Sequence, residues 1–212
     1  WYKVEYLFTV DDVMDEVREQ AERDYQLASG LSQDVETDDN VFRQTTARLP
    51  WLLIGMLGGI GNSMILGNFD STFAAHPEMA LYIPLIGGTG GNVGTQSSAL
   101  VVQGLANRSL NAENTFKQVL KESVVALINA TIISMLVYIY NFIRFGATAT
   151  VSYSVSISLF AVVMFASIFG TLVPMTLEKL KIDPAIATGP FISITNDIIG
   201  MLMYMGITVL LS

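Results

Sequence analysis

Residues 83–106 read IPLIGGTGGNVGTQSSALVVQGLA, a run without a single formal charge. It is long enough to cross about 30 Å of hydrocarbon, which takes ~20 helical residues. It is nevertheless a poor ordinary helix. Gly87, Gly88, Gly90, Gly91 and Gly94 crowd into eight residues, and Pro84 removes a backbone donor. Together they predict a kink or an unwound turn. Carbonyls freed at membrane depth are tolerated only where they are buried in protein or face a water-filled cavity. Asn92, Thr95, Gln96, Ser97 and Ser98 follow at once and supply neutral oxygens in the same place. Close helix packing is the competing reading, since Gly90 and Gly94 form a GxxxG pair. Packing does not need Asn and Gln together, whereas an ion path does, and broken membrane helices point to transport sites. Gly87, Gly88, Gly91 and Gln96 are therefore expected to line a pore, with Asn92 as an oxygen ligand.

The rest of the chain supplies the surroundings for such a path. Over 212 residues it is 51% hydrophobic and only 14% charged, against roughly 25% for soluble domains. Mean hydropathy is +0.49. Apolar segments at 49–67, 79–106, 120–143, 152–177 and 185–211 predict five membrane spans, and none shows the polar stripe of a soluble core helix. The expected fold is all-α, with five transmembrane helices, one of them glycine-rich and broken. Lys and Arg sort by loop: Arg43 and Arg48 precede the first span, Arg108, Lys117 and Lys121 follow the second, and Lys179 and Lys181 follow the fourth. Residues 68–78 hold none and the third loop holds Arg144. The positive-inside rule then places the N-terminus in the cytoplasm and the C-terminus outside.

Among ionisable groups, Glu122 reads as a boundary residue and Asp197 as the one acid deep in a span. An ionised Asp at a helix centre costs about 2.5–3.5 kcal/mol on insertion scales, which disfavours lipid exposure. No intramembrane Lys or Arg pairs with it. Thr195 offers a further acceptor, and Gly200, three residues on, offers clearance. A protonated Asp bonded inside the bundle is the structural alternative. One carboxylate is thin for a divalent ion, but a twofold dimer axis along the pore pairs Asp197 with its copy. The two charges repel unless a cation sits between them. With no cysteine and His76 as the only histidine, the ligands are hard oxygens, which suit Mg²⁺, Ca²⁺ or Mn²⁺.

Residues 1–46 carry twelve acidic and four basic residues, which accounts for the whole net charge of −8. Within them, 9–28 predicts an amphipathic cytoplasmic helix: Thr9 as N-cap, Val10, Val13, Met14 and Val17 on one face, acids on the other. Asp11, Asp12 and Asp15 are the candidate regulatory cation ligands, the plain alternative being a solvated face. Residues 29–42 read as a linker, and the domain boundary is expected between 46 and 47. The opening WYKVEYLFTVDD lacks the build of a signal peptide and is expected to be the processed or truncated start of a longer chain. No nucleophile–base pair and no Walker motif is present. Neither an enzyme nor a nucleic-acid partner is expected.

The stretch 83–106 closely resembles the second-span signature of the MgtE family of Mg²⁺ channels. DPAIATGPFISITNDIIGMLMY (183–204) resembles that family's last span, with Asp197 at its pore aspartate. FTVDDVMDEV (8–17) resembles the end of the second CBS domain running into the connecting helix. The resemblance implies a homodimer in the cell membrane, one central pore, five spans per subunit and Mg²⁺ influx down the membrane potential. It also implies closure when cytosolic Mg²⁺ binds among the N-terminal domain, the CBS pair and the connecting helix. The matching part lacks that N-terminal domain and nearly all of the CBS pair. The alternative function is an ion-coupled secondary transporter using Asp197 as its coupling carboxylate. Such transporters often carry inverted repeats, and five unequal spans show none.

Overall fold

The computed structural model describes residues 10–107, 109–110, 115–146 and 150–211. Among the described residues every regular element is helical: α1 (Val10–Ala28), α2 (Val41–Gly67), α3 (Asp70–Ala75), α4 (Ile83–Ala106), α5 (Thr115–Phe145), α6 (Thr150–Lys179) and α7 (Pro190–Leu211). Short 3₁₀ turns at Pro77–Tyr82 and Pro184–Ala187 lead into α4 and α7. Four helices, α2, α5, α6 and α7, are long and apolar enough to cross a membrane by length and composition. The glycines and neutral polar residues of α4 dilute its hydropathy, although 24 residues at about 1.5 Å each give it the length.

α6 forms the centre of the bundle and packs against α4, α5 and α7. Val151, Val155, Leu159, Val162 and Val163 are fully buried along it and meet Ile86, Met201, Tyr204 and Met205. The Tyr204 hydroxyl donates to the Met79 carbonyl at 2.8 Å, tying α7 to the turn before α4. The Tyr82 hydroxyl likewise donates to Asn141 of α5. By contrast, α2 packs mainly on α7, with Leu66 reaching the core, and leaves Leu52, Leu53, Met56, Leu57 and Met64 exposed. Lipid tails cover such a face as readily as a protein core would.

The glycine helix departs from expectation: α4 is one uninterrupted α-helix, with no break at 87–94. The cost of its glycines is offset by helix contacts that only glycine permits. A Cβ on Gly90 would lie 2.9 Å from Val162, and one on Gly94 would run into the Asn196 side chain. From the other side, a Cβ on Gly170 of α6 would strike the Gly94 carbonyl oxygen. The irregular backbone sits one turn earlier, in the 3₁₀ segment 77–82.

Helix ends explain the other differences. α2 starts at Val41 and not at 49, because the Asn40 side chain accepts from the Arg43 amide at 2.9 Å and caps the helix. The expected linker shortens to residues 29–40, and the boundary at 46–47 falls inside α2. α1 ends in a Schellman turn: Gly30 adopts φ +83° and the Leu31 amide reaches the Gln26 carbonyl at 2.9 Å. Lys181 ends α6 in the same way, with φ 58° and a 2.9 Å bond from Ile182 to Leu177. Val10, Val13, Met14 and Val17 of α1 all remain exposed, so their stripe packs on nothing among the described residues. The cap expected at Thr9 lies outside the described residues, as does Arg108.

Candidate functional site

Two i, i+4 pairs face each other where α4 crosses α7. On α4, Gly87 and Gly91 present bare backbone. On α7, Ser193 and Asp197 fill the space. A Cβ on Gly87 would stand 3.3 Å from Asp197 Oδ1, and one on Gly91 would stand 2.8 Å from Ser193 Oγ and 3.6 Å from Asp197 Oδ1. Glycine at both positions is thus what lets the carboxylate lie against the α4 backbone.

The contact opens into a cleft of about 280 Å³, lined by Asn62, Ile83, Pro84, Gly87, Gly88, Gly91, Asn92, Ser193, Asp197 and Met201. That is many times the ~15 Å³ one water requires. Asp197 is partly exposed within the cleft and forms no ion pair among the described residues. The Oδ1 atom of Asn62 is buried without a hydrogen-bond partner, a polar atom in want of a ligand or a water. Gly88 has nothing within 4 Å of its would-be Cβ and faces open space. One carboxylate, two carboxamides, a hydroxyl and bare helix backbone make a hard-oxygen set fit for a cation that keeps part of its water.

The structure thus gathers Asp197, Asn92, Gly87, Gly88 and Gly91 at one place. It does not bring the remaining expected residues there. Gln96 is exposed on α4 beyond the cleft lining, and Thr195 is partly exposed on another side of α7. Gly200 is buried against α6, where a Cβ would lie 3.3 Å from Val162, so its clearance serves packing. Asp11, Asp12 and Asp15 are exposed at the start of α1. Further along that helix Arg18 and Arg23 already pair with Glu22, Glu16 and Glu19.

Sequence reasoning passes over Asn62 and the role of Glu122, and Ser193 is legible only as a polar neighbour one turn before Asp197. Asn62 interrupts an apolar run beside Gly61 and Ser63, which is a readable signal. Glu122 reads as a boundary residue, yet it is 8% exposed and receives hydrogen bonds from Ser97 of α4 and Ser167 of α6. A larger cleft, about 400 Å³, lies where α1 meets the C-terminal ends of α4 and α6, and Asp24, Glu178 and Asp183 line it together with Lys181. Those acids do not converge: no group of three or more His, Asp or Glu among the described residues is placed to hold a metal.

Fold and cleft together define a multi-pass α-helical membrane protein with an oxygen-lined cleft beside an intramembrane acid. The MgtE family, described as a divalent cation transporter, matches residues 83–207, which include every residue of the α4–α7 crossing. The chain belongs to this family. It is 33% identical over 201 residues to a protein named magnesium transporter MgtE from Bacillus subtilis, covering 95% of this chain and 44% of that one. A protein of the same name from Thermus thermophilus is 32% identical over 211 residues, covering 97% and 46%. A third, from Enterococcus faecalis, is 29% identical over 201 residues, covering 95% and 44%. The chain spans less than half the length of these relatives.

Proposed function

We propose that this chain conducts Mg²⁺ across the cell membrane, and that it does so as a channel formed at the axis of a homodimer. The carrying observation is Asp197: a carboxylate on the wall of an open cleft, at membrane depth, without a basic partner among the described residues. In lipid that arrangement is untenable for a lone protomer. A second copy facing the cleft shields it from lipid, and a divalent cation between two Asp197 side chains removes their repulsion. Mg²⁺ dehydrates reluctantly, so Asp197, Asn92, Asn62 and Ser193 would hold it largely through its waters. The relatives are named as magnesium transporters, which supports Mg²⁺ over Ca²⁺ and Mn²⁺ as the principal ion.

In this reading α2, α4, α5, α6 and α7 are the five spans, with the N-terminus cytoplasmic and the C-terminus external. Residues 1–40 form the cytoplasmic head, and the pore domain starts with α2. The test is flux into liposomes loaded with a Mg²⁺-sensitive dye, driven by an imposed inside-negative potential. Mg²⁺ entry that follows the potential, with no dependence on a Na⁺ or H⁺ gradient, is the expected result. No entry refutes the transport reading, and entry that requires either gradient refutes the channel in favour of a coupled transporter.

A further inference from the structure

Behind the cleft, on the side of α4 that faces the bundle, three helices meet at one oxygen atom. The Ser97 hydroxyl of α4 donates to Glu122 Oε1 at 2.7 Å, and the Ser167 hydroxyl of α6 donates to the same atom at 2.5 Å. The two hydroxyl oxygens lie 3.0 Å apart. Ser97 is 4% exposed, Ser167 2% and Glu122 8%. Among the described residues Glu122 has no basic partner. A buried carboxylate held only by two hydroxyls contributes little to stability compared with a well-packed apolar side chain. What it can fix is register, because both hydroxyls must converge on one point.

The register in question is that of the ion path. Ser97 follows Gly91 by six residues, about 9 Å along the axis and roughly 120° around the helix, on the same stripe as Gly90 and Gly94. Ile86 and Val101 are buried anchors of α4, but beside the cleft it meets its neighbours through glycine: Gly90 faces Val162 of α6, Gly94 meets Gly170 of α6 and Asn196 of α7, and Gly87 and Gly91 face Asp197 and Ser193 of α7. Such smooth surfaces allow close approach but leave sliding and rotation weakly resisted. The geometry points to Glu122 as a positioning residue for ion passage: by anchoring Ser97 and Ser167 to one carboxylate oxygen, it holds the glycine face of α4 in register with Asp197. This rests on the proposed Mg²⁺ conduction through the α4–α7 cleft.

The experiment compares Glu122→Gln, Glu122→Met and Ser97→Ala with the unaltered chain in the liposome assay, reading maximal flux, half-saturating Mg²⁺ and the Mg²⁺ to Mn²⁺ flux ratio. Flux in the unaltered chain comes first; its absence refutes the conduction reading and not the clamp. Gln keeps an acceptor oxygen of the same reach, so its three readouts should stay within about twofold. Met keeps the length and removes the acceptor, and should lower maximal flux about tenfold while raising half-saturation and shifting the ion ratio. Loss of folded protein alone lowers maximal flux but moves neither half-saturation nor the ion ratio. Gln failing as badly as Met would overturn the proposal, because charge and not the acceptor would then matter. So would Met matching the unaltered chain in all three readouts. If Met yields no folded protein, Ser97→Ala decides: a shifted half-saturation and ion ratio supports the clamp, and unchanged values overturn it.

Discussion

Asp197→Asn is the most informative single change, because it keeps shape and removes only charge. With one water between carboxylate and ion, the separation is about 4.5 Å, from a Mg–O bond of about 2.1 Å and a bent hydrogen bond. At an effective dielectric near 20, a 2+ ion and one carboxylate at that distance attract by about 7 kcal/mol, and in bulk water by about 2 kcal/mol. An open, partly wet cleft lies between these limits. Taking the lower one, loss of a single carboxylate weakens Mg²⁺ binding about thirtyfold, and loss of the pair about a thousandfold. The thirtyfold loss is the floor for one shared carboxylate and the thousandfold loss the floor for a pair. Isothermal titration of the detergent-solubilised protein with Mg²⁺, alongside the liposome flux assay, measures it. Size-exclusion chromatography verifies assembly, and melting temperature should not fall, since the substitution relieves a desolvated charge. Binding within about threefold of wild type in a folded dimer would refute the reasoning, because no dielectric in this range allows it.

Four other outcomes follow from the same geometry. Gly88→Leu places a side chain in the open cleft and should reduce flux to background with an unchanged melting temperature; undiminished flux would move the path elsewhere. Gly170→Ala sets a Cβ against the Gly94 carbonyl oxygen. The expected loss is about 1–3 kcal/mol, or roughly 2–12 °C in melting temperature, and an unchanged melt would contradict the close crossing. Cysteines at Ser71 and Ser109, both exposed, should label from outside and inside respectively with a membrane-impermeant maleimide, and the reverse pattern would invert the topology. Neutralising Asp11, Asp12 and Asp15 to Asn should abolish any Mg²⁺-dependent protease protection of α1; protection that persists would leave those acids as a solvated face.

The apolar helices are legible in the sequence because a lipid solvent imposes one requirement along a whole run: about twenty residues without charge. The Lys and Arg sorting, the lone Asp197 and the Gly-rich stretch are legible for the same reason, each being an exception to that requirement. What the sequence does not carry is which way a side chain faces in three dimensions. Gly200 and Asp197 share a helical sector by spacing, but Val162 of α6 occupies the space beside Gly200. Glu122 lies eight residues into α5 and reads as a boundary residue until Ser97 and Ser167 arrive from other helices. Asn40 starts α2 eight residues before the apolar run, since a cap is a local hydrogen bond and hydropathy does not register it.

Five glycines predict a broken α4, and the reason the helix stays whole is also the reason there are so many. A single GxxxG pair would serve one crossing. Here the pattern GGxGGxxG holds two stripes roughly 60° apart, since residues three apart lie 300° around the helix. Gly90 meets Val162 of α6, and Gly94 takes the Gly170 backbone of α6 on one side and the Asn196 side chain of α7 on the other. Gly87 and Gly91 meet Ser193 and Asp197 of α7. Hydrogen bonds within an intact helix leave its backbone already satisfied, so α4 needs no water or ligand to exist at membrane depth. An unwound segment would bring carbonyls to an ion directly and would suit a dehydrated one. A smooth, intact helix instead leaves width beside the carboxylate, which is what an ion that retains its water requires. On this view the space the glycines leave admits an ion with its water, and the charge of Asp197 favours a divalent over a monovalent cation.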